Sequence, residues 1–161
     1  MSEPNYATSP EDLLTPADLS TMSGFDFIDG IRIGRFPAPP ISKTLDFQLT
    51  EVDKGRVVFE GAPEFAAYNP LGGAHGGWFG TLLDSCMACA VQTTLPKGKG
   101  YTTIEYKITI LRPAFVTTPS LKAIGTVISS GRRVATATGE MIGEDGKVFA
   151  TGTTTCLVFD L

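Results

Sequence analysis

Residues 71–95 read LGGAHGGWFGTLLDSCMACAVQTTL, and within them Asp84 is the only carboxylate, with no Lys or Arg beside it. Pro70 and Pro96 bracket the stretch. Apolar side chains fall on nearly every side of a 3.6-residue period, so the pattern predicts a helix over 76–94 that is covered on most of its surface. Pro96 ends it. An ionised carboxylate among Leu82, Leu83, Met87, Ala88 and Ala90 is expensive to bury without a partner. A chain keeps such a group for a partner, for a cap, or for chemistry.

Working outward, the periodicity changes downstream. From residue 101, Ile104, Tyr106, Ile108 and Ile110 alternate with Thr103, Glu105, Lys107 and Thr109, which predicts a half-buried strand. Strands over 121–129, 133–142 and 148–159 follow, with turn signals at Ser130-Gly131 and Glu144-Asp145-Gly146. Upstream, strands over 44–51 and 56–62 flank a turn at 52–55. Before them, Pro16, Leu19, Met22, Phe25 and Ile28 predict a helix over 15–29 that Gly30 stops. Residues 34–40 read as a proline-rich connector and the first twelve as a loose arm. The order defines an α+β protein. One antiparallel six-stranded sheet curling around the apolar helix is the arrangement that covers it. The expected organisation is an N-terminal arm with a short extra helix over 1–40 and a single domain over 41–161.

At 161 residues the chain is long enough to bury a sizeable core. A net charge of −4 without a basic stripe argues against a nucleic-acid surface. Cys86, Cys89 and Cys156 suit a reducing compartment better than a disulfide framework. The acidic first twenty residues lack a signal-peptide pattern, and no apolar run is long enough to span a membrane. The expected location is the cytoplasm.

If Gly76 opens the helix, its backbone N–H is a free donor at the positive end of the dipole. The missing side chains of Gly76 and Gly77 let a ligand carbonyl approach, which makes an oxyanion-type site. Asp84 lies eight residues further, about 12 Å along the axis. One helix therefore cannot bring both groups to one carbon, whereas two antiparallel copies can. Each residue also has a plainer reading. Asp84 can cap a shorter helix starting at Ser85, His75 can be a structural hydrogen-bonder, and Asn69 before Pro70 can be a turn residue. Cys86 and Cys89 lack further ligands for a zinc site and fit small core positions at helical spacing, so no metal is expected.

Taken together, Asn69, His75-Gly76, Asp84, the strand Tyr101-Thr102-Thr103-Ile104-Glu105-Tyr106-Lys107 and Leu111-Arg112-Pro113-Ala114 resemble the hotdog-fold acyl-CoA thioesterases of the phenylacetic-acid-degradation type. These are related to the 4-hydroxybenzoyl-CoA thioesterases, and the resemblance spans about 45–159. It implies a hotdog fold and hydrolysis of acyl-CoA thioesters to free acid and CoA. It also implies Asp84 as nucleophile or general base, and Gly76 as the carbonyl-polarising amide. His75 and Asn69 would shape that corner, and a strand hydroxyl would come from Thr103, with Thr102 as its neighbour. The family assembles as homodimers that pair into tetramers, without a metal or separate cofactor.

Phe79, Leu83, Met87 and Tyr106 are expected to line an apolar tunnel for a medium or long chain or an aromatic acyl group, next to Gly77. Arg112, Arg132 and Arg133 are the candidates for CoA phosphates, the latter two being equally readable as solvated turn residues. Two other functions fit the same fold: a non-catalytic acyl-CoA sensor, and a hydratase or dehydratase. Asp84 argues against the first, and the single histidine, placed at the oxyanion corner, against the second.

Overall fold

The computed structural model describes residues 5–161. Six strands form one fully antiparallel sheet: β1 (Phe47–Asp53), β2 (Arg56–Gly61), β3 (Lys99–Ile110), β4 (Leu121–Ser130), β5 (Val134–Ile142) and β6 (Val148–Asp160). Their order across the sheet is β1-β2-β4-β5-β6-β3, so β1 and β3 are its edges. Three short helices, α1 (Pro16–Ser20), α2 (Gly24–Arg32) and α3 (Pro40–Thr44), precede it, and α4 (Gly76–Gln92) lies along its concave face. Trp78, Phe79, Leu82, Leu83, Cys86, Met87, Ala90 and Val91 of α4 are buried in the core that results. The predicted central helix and all six strands are present, with ends shifted by at most three residues.

The sheet is shaped to receive α4. Gly125, Gly139 and Gly152 pair in register across β4, β5 and β6, forming a row without side chains beneath the helix. A Cβ at Gly125 would stand 2.2 Å from the Cys86 carbonyl oxygen and 2.6 Å from the Met87 nitrogen, both backbone atoms. At Gly139 the nearest atom is Met87 Cγ at 2.8 Å, on a flexible side chain. Gly125→Ala should therefore cost about 3 kcal/mol or more and lower Tm by about 6–12 °C in thermal denaturation. Gly139→Ala should cost about 1 kcal/mol, because Met87 can rotate away.

The N-terminal region differs from expectation. The helix predicted over 15–29 is two helices. Ser23 accepts from the Asp26 N–H and starts α2, whereas the Thr15–Asp18 capping box starts α1, so two caps compete within one apolar period. Gly30 does not stop α2. It lies inside the helix, where its bare Cα accommodates the Phe36 ring, and the chain leaves at Ile33 and Gly34, the latter at φ 76°. Residues 40–44, read partly as connector and partly as strand, form α3 because Pro40 sits at its first turn. The arm is not loose where it is described. Ala7 is buried, its N–H donates to Ala38 at 2.9 Å, and the Ala38 N–H donates to Asn5 at 2.7 Å. The first four residues of that expectation lie outside the described residues.

Candidate active site

The sequence Asn69 to His75 folds into a corner that aims α4. Asn69 Oδ1 accepts from the Leu71 and Gly73 amides at 2.9 and 3.4 Å, the self-closing turn that asparagine side chains favour. The His75 N–H donates to Ala67 at 2.8 Å, Ala74 donates to Ala114 at 2.9 Å, and Tyr68 Oη accepts from the Val116 amide at 2.6 Å. Three segments are thus bound at the helix entry. His75 is the N-cap: its Nδ1 accepts from the Gly77 N–H at 2.8 Å, so the ring proton sits on Nε2. The Gly76 N–H, at the first helical position, has no hydrogen-bond partner among the described residues. A cavity of about 330 Å³ opens beside His75, Gly77 and Thr81.

Asp84 is not a cap. α4 runs unbroken from Gly76, which puts Asp84 in mid-helix and removes the plainer reading. Gly76, Gly80 and Asp84 follow one another at intervals of four and share the face opposite β3. The Cβ positions of Gly76 and Gly80 lie 3.4 Å from Ile110 Cδ1 and 3.3 Å from Tyr106 Oη, and Asp84 Oδ1 accepts from Thr103 Oγ1 at 3.0 Å. Burial pushes the Asp84 carboxyl above the ordinary carboxylate range; the Thr103 hydroxyl pulls it part of the way back. Cys156 Sγ stands 4.0 Å behind the same hydroxyl.

A bulge makes that contact possible. Thr103 faces Cys156 and Glu105 faces Thr155, which leaves Ile104 unpaired and 58% exposed. Strict alternation from Ile104 puts Thr103 on the outer face with Glu105 and Lys107. The extra residue shifts the phase, so Thr103 and the later Tyr106, Ile108 and Ile110 all turn toward α4. The predicted inward position of Ile104 is corrected by the same bulge.

Thr103→Val should slow turnover roughly tenfold, the scale of a hydrogen bond to a charged group. It should also move the acid limb of the pH–rate profile upward, because the contact that lowers the Asp84 pKa is gone. A pH profile of kcat/KM checks both, and Thr103→Ser should restore them.

The other expected residues do not converge. Phe79, Leu83 and Met87 are 1%, 0% and 0% exposed and fill the space between α4 and the sheet. In the single chain they are core rather than the wall of an open tunnel, and of the expected acyl contacts Tyr106 alone is exposed beside the Asp84 stripe. Thr102 is exposed and pairs with Leu157 on β6, on the opposite phase of β3 from Thr103. Arg112 is exposed near the Gly76 end and donates to the Val148 carbonyl at 3.3 Å. Arg132 and Arg133 lie in the β4–β5 turn at the other end of α4, where Ser130 meets Thr94 at 2.8 Å. Cys86 and Cys89 are free thiols, Cys86 fully buried, and no cluster of three potential metal ligands occurs among the described residues. The sequence expectation omits Gly80, although its spacing of four from both Gly76 and Asp84 marks it as part of the same stripe.

A six-stranded antiparallel sheet wrapped around one long helix defines the hotdog fold, and the half-buried Asp84 and the Gly76 amide both lie on that helix. Residues 71–150 match the thioesterase superfamily model. The chain is 31% identical to a phenylacetic acid degradation-related protein from Ralstonia eutropha, covering 81% of this chain and 98% of that one, with a TM-score of 0.73. It is 26% identical to the phenylacetic acid degradation protein PaaI of Thermus thermophilus, over 73% of this chain and 97% of that one, with a TM-score of 0.67. A thioesterase protein from Streptococcus pneumoniae, solved with coenzyme A, is 21% identical over 73% of this chain and 90% of that one, at a TM-score of 0.66. No curated protein sequence gives a significant match. The chain belongs to the thioesterase superfamily and is a thioester hydrolase. Among the described residues no helix is long and apolar enough to cross a membrane.

Proposed function

We propose that the chain hydrolyses acyl-CoA thioesters to free acid and CoA at a site shared by two copies. The observation that carries this reading is Asp84: a half-buried carboxylate in mid-helix, paired with no cation among the described residues, held by the Thr103 hydroxyl and facing β3. A thioester carbonyl is electrophilic and its thiolate leaves readily, so a carboxylate and one preorganised donor suffice. Asp84 attacks the carbonyl or takes the proton of an attacking water, and the Gly76 amide receives the developing oxyanion. His75 holds the Gly77 amide, and Asn69 holds the turn that sets the direction of the helix. The scheme uses no metal or cofactor. The acyl group, a medium or long chain or an aromatic one, would lie against Tyr106.

The spacing from Gly76 to Asp84, about 12 Å, supports assembly of the site from two chains. Among the described residues no strand pairs with the outer edge of β3, and Ile104, Tyr106 and Ile110 along it are 58%, 47% and 43% exposed. Pairing of two such edges in antiparallel fashion would bring the glycine end of one α4 toward Asp84 of the other, and dimers would pair again through a further face. The CoA seen in the Streptococcus pneumoniae protein supports CoA as the thiol carrier. Its phosphates would meet Arg112 at the Gly76 end of one copy, or Arg132 and Arg133 at the opposite end of α4 in the other. Free cysteines fit a reducing cytoplasm.

Thiol release from a panel of short, long and aromatic acyl-CoAs tests the reading. Hydrolysis of at least one member, with a preference among them, is expected. Tight binding without release from any member would replace it by the sensor reading.

A further inference from the structure

A second cavity, of about 550 Å³, lies away from the Asp84 site, between the arm, α2, α3, β1 and the flank of α4. Neither Asp84, Gly76, His75 nor Thr103 lines it. Cys89, its one contact on α4, is five residues past Asp84 and so about 140° around the helix from it. Every other lining residue precedes residue 71, outside the part of the chain that matches the family model. The cavity lies where the N-terminal helices pack over the β1–β2 hairpin, with Cys89 as its contact on α4.

Its lining is chemically divided. Ile28, Ile31, Phe47, Leu49 and Phe59 supply an apolar wall. Burial pushes the Cys89 thiol up to about 12, so that contact is neutral as well. Ser42 of α3 is 3% exposed, yet its hydroxyl makes no hydrogen bond among the described residues. That oxygen is not sealed in protein, since no fully enclosed side-chain polar atom among the described residues lacks a partner, and Ser42 lines the cavity. A hydroxyl that faces the cavity without a protein partner is free to bond a ligand atom, a contact worth about fivefold in affinity, or about 1 kcal/mol. At the exposed rim Arg32 spends Nε and Nη2 on Asp29 Oδ1, each at 2.7 Å, which leaves Nη1 for an incoming acceptor.

We propose that this cavity binds one aliphatic carboxylic acid, its chain against the apolar wall and its carboxyl group held by Ser42 and Arg32. The volume lies in the range of small-molecule sites. Such an acid is the product class of the proposed hydrolysis, and the choice of ligand rests on that reading. The site would place a sensor for product beside α4, on the flank the reaction does not use.

Calorimetric titration of sodium decanoate and of phenylacetate into the full chain tests it, with Asp84→Asn, Ile31→Trp and Ser42→Ala in parallel. One decanoate per chain is expected, with the same affinity in Asp84→Asn. Affinity should fall about fivefold in Ser42→Ala, the scale of one hydrogen bond, and at least tenfold in Ile31→Trp, whose ring fills the cavity. Thiol release should be unchanged in Ile31→Trp. Absence of decanoate binding, equal binding by all variants, or preference for phenylacetate would overturn the proposal. So would loss of hydrolysis in a folded Ile31→Trp, which would make the cavity part of the reaction site. If Ile31→Trp does not fold, Ser42→Ala decides. The titration reads binding even if the wild type hydrolyses no acyl-CoA, so the two readings fail separately.

Discussion

Asp84→Asn is expected to lower acyl-CoA turnover about 10²–10⁴-fold, the range that a positioned acid–base group contributes, while making the protein more stable at neutral pH. The amide keeps the shape of the carboxylate and can still accept from Thr103 Oγ1, so the local packing is preserved. What it loses is the negative charge that, in the proposed reaction, attacks the thioester carbonyl or deprotonates the attacking water. The stability effect follows from burial. The folded-state pKa of Asp84 is raised above its ordinary value of 3.8, so between the two values the folded chain holds more protons than the unfolded one. Stability then falls as pH rises through that window, and the penalty is fully present above the folded pKa. Asn carries no such penalty. Its Tm should exceed that of the wild type at pH 7, and the gain should vanish well below pH 3.8. Thiol-release kinetics and thermal melts across pH measure both effects. An Asp84→Asn variant that retained activity would exclude the proposed role.

Gly76→Pro should remove the proposed oxyanion donor without disturbing the helix. Proline lacks the N–H but suits the first helical position, where that group has no intrahelical partner. His75 already has φ −64° and ψ 144°, the extended geometry that a residue before proline prefers. The nearest neighbour of an added Cβ is Ile110 Cδ1 at 3.4 Å. The expected loss in kcat is about 10²–10³-fold, that of one oxyanion-hole donor, with Tm nearly unchanged. Mixing this variant with Asp84→Asn separates a shared site from one within a chain. If the site is shared, half of the randomly formed dimers carry one intact site, so about a quarter of wild-type activity returns. A site within one chain would recover nothing.

The fold was readable because its strongest signals are local. A seventeen-residue helix with apolar side chains on nearly every face must be covered, and strands of alternating polarity after it supply the cover. Signals failed where two local rules competed. Leu19, Met22, Phe25 and Ile28 keep one apolar period across 15–29, but the Ser23 side chain caps a new helix, and a cap outweighs a period that short. On β3 the alternation of Ile104, Tyr106, Ile108 and Ile110 concealed a bulge, since an unpaired residue leaves no mark in a strand's own sequence. The site shows the same division. His75-Gly76 and Asp84 stand out through their spacing on one helix, whereas the burial of Phe79, Leu83 and Met87 depends on which face of α4 the sheet covers.

By itself the sequence determined the helix and strand order, the position of a lone carboxylate within an apolar helix, and the glycines at the start of that helix. These follow from periodicity, proline and glycine, which act over a few residues. Only the tertiary structure decided which side chains meet. The register that aligns Gly125, Gly139 and Gly152 sets how closely α4 approaches the sheet. The bulge at Ile104 turns the Thr103 hydroxyl onto Asp84. Packing of residues 5–44 against β1 encloses a cavity with Ser42 on its wall. Each depends on pairing between residues far apart in the chain, and such pairing is fixed by the packing of the whole sheet rather than by any segment's own preferences.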